Sequence, residues 1–111
     1  MHTQVAPLEI TDSNFSSKVE DSTSLVVVAF WAPWCGPCRI VMGFVDTLAA
    51  AYAEDEVVIG GLLVDDNPET TAHFGVRSVP TILFFKEGRQ VDAVVGFCTR
   101  GKIEEKLRAH I

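Results

Sequence analysis

Cys35 and Cys38, separated only by Gly36 and Pro37, are the residues of this chain whose types and spacing could do chemistry. Two thiols three positions apart can close a small disulfide ring and open it again. The pair follows an apolar run and opens a helical pattern, so Cys35 falls at a helix N-terminus. There, unpaired N–H groups and the positive helix end favour a thiolate over a thiol. The spacer brings no charge, and Pro37 lacks an N–H that would otherwise point at the sulfurs. A histidine in the spacer would favour the thiolate and make the pair a better oxidant. With Gly-Pro, the reduced pair should give up its electrons readily.

The same spacing occurs in zinc sites and haem attachment, and a pair of inert thiols is the plain structural alternative. Tetrahedral zinc needs four ligands. Beyond the pair the chain offers Cys98, His2, His73 and His110, with no second paired motif, so no metal is expected. Three cysteines are an odd number, which argues against a disulfide framework and for a reducing compartment in which a disulfide is transient. Net charge is −6 and no basic cluster exceeds two residues, so neither nucleic acid nor an anionic membrane is an expected partner. No apolar stretch reaches the length of a membrane span. Met1-His2-Thr3-Gln4 carries no basic segment followed by an apolar one, so no secretory signal is expected. The expected location is cytoplasmic, with the stroma or matrix of an organelle as the alternative for a processed chain.

At 111 residues and 48% hydrophobic, the chain is one domain, 1–111, able to bury roughly 65% of its unfolded surface. The elements that must hold the thiols follow from patterning. Leu8 to Ile10 reads as a short strand, and Thr11 or Ser13 caps a helix with Phe15 and Val19 inward. Leu25 to Trp31 is a continuous β-branched run, the mark of a strand buried on both faces. From Cys35 the period changes: Val41, Phe44, Val45, Leu48 and Tyr52 line one face of a helix of about five turns. Val57 to Val64 is a second buried strand, weakened by Gly60-Gly61. Asn67-Pro68 opens a short helix that stops near Gly75. Thr81 to Lys86, the Glu87-Gly88 turn and Gln90 to Val95 form a hairpin. A last helix after Gly96 places Ile103, Leu107 and Ile111 on one face. The expected class is α/β: a central mixed sheet of five strands, or four plus an edge, with four helices on both faces.

That order, with Phe30-Trp31-Ala32-Pro33-Trp34-Cys35-Gly36-Pro37-Cys38-Arg39 after a core strand, resembles the thioredoxin family, most of all its bacterial and chloroplast m-type members. The likeness runs from about Leu8 to the C-terminus and includes Val64-Asp65-Asp66-Asn67-Pro68, Gly75 to Thr81, and Val95-Gly96. It implies a protein-disulfide reductase with Cys35 as nucleophile and Cys38 as resolving thiol, the pair itself being the redox group and no cofactor being bound. It implies a cis Val79-Pro80 bond, with Val79 pairing to the client backbone and Pro80 shaping the groove. Trp34, Gly36, Pro37, Val79, Val95 and Gly96 match the apolar patch that grips partners. Expected partners are disulfide-containing clients and a thioredoxin reductase, NADPH/flavin-dependent or ferredoxin-linked, and the chain is expected to be a monomer. Trp31 and Asp65 match a pair in which the indole bonds the carboxylate; a core aromatic and a solvated charge are the plain readings.

The chain departs from the family at several points. The buried aspartate usual six residues before the first cysteine is Ala29, and the lysine that reaches it is Gly61. Removing both partners of a buried pair can be neutral, whereas removing one costs about 3–5 kcal/mol. Without the aspartate, Cys38 must lose its proton to water or to the departing thiolate. Slower reduction and a simpler pH–rate profile are expected, unless the apolar substitution is compensated elsewhere. Gly43 replaces a helix-kinking proline. Phe97 stands where a small residue is usual, either buried or narrowing partner choice. Cys98 is either a small core residue or a regulatory thiol. The alternatives to a general reductase are a weak or client-restricted thioredoxin-like protein and a binding subunit that does not use its thiols.

Overall fold

The computed structural model describes residues 6–111; Met1 to Val5, with His2 and the whole Met1–Gln4 segment read for a leader, lie outside them. Five strands form one mixed sheet: β1 (Leu8–Glu9), β2 (Leu25–Trp31), β3 (Val57–Leu63), β4 (Thr81–Lys86) and β5 (Arg89–Val95), in spatial order β1-β3-β2-β4-β5. β3 runs parallel to β1 and β2, while β4 is antiparallel to both β2 and β5. β2 is therefore central, and its unbroken apolar run follows from burial on both faces. Leu25, Val27 and Ala29 enter a layer with Val41, Val45, Leu48, Ile103 and Leu107. Val26, Val28 and Phe30 enter the opposite layer with Ile10, Phe15, Val19, Leu62 and Phe85.

Helix α1 (Gly36–Ala51) runs uninterrupted through Gly43, so glycine at that position leaves the ladder intact. It is shorter than the expected five turns because Tyr52, at φ −107°, already leaves the helix. Phe44 is only partly buried against the core. Helix α2 (Pro68–His73) ends before Gly75, whose φ of +66° suits the residue that closes a helix. Helix α3 (Arg100–His110) buries Ile103 and Leu107, but Ile111 lies past its end and is exposed, so the third member of the expected stripe does not pack.

The segment after β1 also differs from expectation. Only Ser16–Glu20 is helical, as a π-helical turn, and neither Thr11 nor Ser13 acts as its side-chain cap. Asn14 organises the turn instead, accepting from the Thr11 N–H at 2.7 Å and donating to the Glu9 carbonyl at 2.9 Å. β3 ends at Leu63, and Val64–Asp66 forms a 3-10 turn. Gly60 lets β1 approach closely, since a Cβ there would stand 2.6 Å from Ile10 Cγ1.

Candidate functional site

β2 delivers the chain to the turn Ala32-Pro33-Trp34, where the Cys35 N–H donates to the Ala32 carbonyl at 3.1 Å. Cys35 caps α1 in an extended conformation, and its Sγ accepts from the Cys38 N–H at 3.2 Å. Gly36 and Pro37 form the first turn. Arg39 donates to the Pro33 carbonyl at 3.5 Å and braces the loop from behind. The two cysteines form a disulfide; Cys38 is fully buried and Cys35 retains 6% exposure. The sulfur at the helix end is thus the one a partner can reach. On reduction, the same N–H and helix end stabilise charge on Cys35.

The facing wall is Ser78-Val79-Pro80. The Val79-Pro80 peptide is cis, and the Val79 carbonyl oxygen stands 3.7 Å from Cys35 Sγ. Thr81 Oγ1 donates to the Ser78 carbonyl at 2.7 Å, and the Gly96 N–H donates to the Pro80 carbonyl at 2.8 Å. Gly96 has φ +90°, a turn that a side chain would strain, and it joins the end of β5 to the proline loop. Val95 is 69% exposed and Phe97 55% exposed, so Phe97 is a surface ring and the buried alternative does not hold.

The tryptophan–aspartate pair is present with a different tryptophan. Trp34 Nε1, not Trp31, donates to Asp65 Oδ2 at 2.8 Å. Trp31, the last residue of β2, lies with its indole nitrogen beside Gly61 instead. Both indoles precede the motif, and spacing alone did not separate them. Asn67 was also missed as a supporting residue. It is 5% exposed, donates to the Leu63 carbonyl at 2.9 Å and accepts from the Asp12 N–H at 2.8 Å. The Asp12 carboxylate in turn accepts from the N–H groups of Thr70 and Glu69, at 2.8 and 3.1 Å. Desolvation pushes its pKa up, but the Thr70 side chain and these two N–H groups together bring it below its ordinary value. The only signal in the sequence was an asparagine directly before Pro68.

Ala29 and Gly61 are register partners on β2 and β3. Ala29 is fully buried beneath α1, and a Cβ at Gly61 would stand 2.9 Å from Met42 Cε and 3.3 Å from Trp31 Nε1. Methionine and indole thus occupy the space beside the two small residues, and neither position supplies a titratable group. A cavity of about 270 Å³ remains at the edge, lined in part by Trp31, Met42, Gly61 and Leu63.

Cys98 is a free, buried thiol in the core layer under α3, and desolvation pushes its pKa up. That environment fits the small core residue and not the regulatory thiol. Among the described residues, no group of three or more His, Cys, Asp or Glu could hold a metal ion, and no helix is long and apolar enough to cross a membrane.

The thioredoxin family model matches residues 6–109. Thioredoxin 1 of Nostoc sp. is 42% identical over 106 residues, covering 96% of this chain and 98% of the relative. The thioredoxin of Staphylococcus aureus is 44% identical over 107 residues, covering 96% of this chain and all of the relative. Among solved structures, a mutant thioredoxin from Halobacterium salinarum NRC-1 superposes with a TM-score of 0.87 at 28% identity, over 99% of this chain and 95% of that one.

Proposed function

Because the chain belongs to the thioredoxin family, we propose that its thiol–disulfide oxidoreductase activity is protein-disulfide reduction carried by Cys35 and Cys38 in fixed roles. The Cys35 thiolate attacks one sulfur of a client disulfide, forming a mixed disulfide and releasing the other client sulfur as a thiolate, which takes up a proton. Cys38 then loses its proton and attacks Cys35 Sγ. The client leaves fully reduced and the Cys35–Cys38 disulfide re-forms. Two electrons have passed from the dithiol to the client, and a thioredoxin reductase returns them. The redox group is the disulfide itself.

One observation carries this assignment. Cys35 Sγ lies between the Cys38 N–H, at 3.2 Å, and the Val79 carbonyl, at 3.7 Å. The first contact stabilises the thiolate. The second places the sulfur against a backbone edge to which an extended client can pair. Trp34, Gly36, Pro37, Val79, Pro80, Val95, Gly96 and Phe97 form the contact surface, and Asp65 holds Trp34 in place. Trp31 supports the loop from below through packing.

The Cys38 proton leaves without a neighbouring carboxylate at position 29. The released client thiolate or water takes it, so reduction is slower than general-base help would allow. The protein acts as a monomer in a reducing compartment, the cytoplasm or its organellar equivalent, where Cys98 stays reduced. The reductant is a thioredoxin reductase, NADPH/flavin-dependent or ferredoxin-linked. The test is insulin reduction with the flavin-dependent enzyme and NADPH. Turnover that disappears in Cys35→Ser/Cys38→Ser supports the reading. No turnover with NADPH but turnover with dithiothreitol would move the reductant to the ferredoxin-linked class. No turnover with either would leave a binding subunit.

A further inference from the structure

Resting on the reductase reading above, we propose that Phe97 is a specificity residue that selects clients carrying a bulky apolar side chain, aromatic above all, beside the reacting cysteine. Its position follows from the sheet. Val95 is paired with Thr81, and the next residue, Gly96, donates to the Pro80 carbonyl at 2.8 Å. The chain leaves β5 at the cis-proline, and Phe97 is the first side chain beyond it. A client joined to Cys35 through sulfur and paired to Val79 lies against the loop that Gly96 bonds, one residue from this ring.

The exposure of the ring has a structural cause. Cys98 turns inward and is buried in the layer with Val41 and Ile103, which sends the side chain before it outward. Phe97 is 55% exposed, and the aromatic contacts of the described residues, among Phe15, Phe74, Phe85 and His73, do not include it. A phenyl ring in this place has no polar atom with which to bind a client. It can contribute only by removing apolar surface from water or by ring-to-ring contact.

Backbone contacts join this ring to the reactive sulfur: Phe97 follows Gly96, which donates to the Pro80 carbonyl, and the Val79 carbonyl before Pro80 stands 3.7 Å from Cys35 Sγ. Trp34, 70% exposed and fixed by Asp65, directly precedes Cys35 in the chain. A client side chain on the Trp34 side meets an indole held in one orientation in every complex. The second contact, on the Phe97 side, is where clients are told apart. A glycine, serine or aspartate there leaves the phenyl ring in water, whereas phenylalanine, leucine or methionine covers it.

The test uses symmetric disulfides of single-cysteine peptides that differ only in the residues flanking cysteine: Phe, Leu, Ser or Asp on one side and then the other. The reduced full-length protein is mixed with each, and the liberated peptide thiol is followed in a single turnover. Each turnover yields two peptide thiols and one Cys35–Cys38 disulfide. The Phe-flanked peptide should be reduced about three- to tenfold faster than the Ser-flanked one, the range an aromatic contact is worth. In Phe97→Ala that ratio should fall to near one for the flank that meets Phe97 and stay unchanged for the other, whereas Phe97→Tyr should keep it and Phe97→Leu should keep part. A ratio undiminished at both flanks in Phe97→Ala overturns the proposal. So does a sedimentation result in which Phe97→Ala abolishes a dimer of the wild type and leaves the ratio alone. If the wild type reduces neither the peptides nor insulin, the reductase reading itself falls.

Discussion

The indole N–H of Trp34 donates to Asp65 at 2.8 Å, although the ring is 70% exposed. An exposed tryptophan beside a reactive disulfide would otherwise sample several rotamers. The bond fixes one, so that a single apolar face of the ring stands beside the motif. Asp65 should therefore matter to client binding more than to chemistry. In Asp65→Ala, KM for a protein disulfide should rise about three- to tenfold, the range of one hydrogen bond, with kcat nearly unchanged. Trp34 emission should lose its fixed polarisation. Equal falls in kcat and kcat/KM would place Asp65 in the chemical step instead.

Asn67 stands one layer behind that pair. It ties Leu63 and Asp12 together around the turn that carries Asp65. Asn67→Ala removes the side-chain partner of the part-buried Leu63 carbonyl and of the Asp12 N–H, so urea denaturation should show a loss of about 1–3 kcal/mol. The same variant should raise KM as Asp65→Ala does. A stability loss with KM unchanged would confine Asn67 to a structural role.

The architecture was legible because the patterns that define it are long. The β2 run, the α1 stripe and the Glu87-Gly88 hairpin each constrain many residues at once. The parts read wrongly were short. A π-helical turn offers too few residues for a period, and Ile111 kept the helical spacing beyond the last hydrogen-bonded turn. At the site, Cys35 and Cys38 stand in one contiguous motif, whereas Pro80 lies far along the chain and its place was implied only by the family resemblance. The Trp34–Asp65 bond joins residues 31 positions apart, and choosing between two nearby indoles needs the orientation of the turn after β2. Asn67 and Asp12 act through backbone groups 55 positions apart, which no local pattern records.

Ala29 and Gly61 are paired in register beneath α1. Ala29→Asp alone would bury a carboxylate without a partner and should cost about 3–5 kcal/mol. Gly61→Lys must displace Met42, whose Cε stands 2.9 Å from the new Cβ, and Trp31. Together the two changes restore a pair, so the double variant should recover stability that the aspartate alone loses. It should also resolve the mixed disulfide up to about tenfold faster and add an ionisation to the pH–rate profile. An unchanged rate and profile would show that Cys38 needs no base.

Asp92 links β5 to the end of α3. Its carboxylate accepts from Lys106 Nζ at 2.9 Å, the Ala93 N–H at 2.8 Å and His110 Nε2 at 3.0 Å. The hydrogen bonds from Lys106 and then His110 lower its pKa from the ordinary 3.8 to about 2. A lowered folded-state value stabilises fully above the unfolded value and is lost as pH falls through the folded one. The stability difference between wild type and Asp92→Asn should therefore be constant near neutrality and shrink between about pH 4 and pH 2. Because these groups are partly exposed, salt should reduce it as well. A difference that persists at pH 2 would assign it to packing.

Cys98 should be silent in the native state. Its burial and raised pKa predict that mild alkylation of the reduced protein labels Cys35 and leaves Cys98 unmodified until the chain unfolds. Rapid native labelling of Cys98 would contradict its place in the core layer.

The most direct measurement of the central claim is to trap the intermediate. Cys38→Ser leaves Cys35 able to attack but removes the thiol that releases the client. After mixing with a disulfide protein, mass spectrometry of the non-reduced digest should find the client joined to Cys35, and Cys35→Ser should abolish the adduct. An adduct on Cys98, or none under conditions where the wild type reduces the same client, would contradict the assignment of Cys35 as nucleophile and Cys38 as the thiol that resolves it.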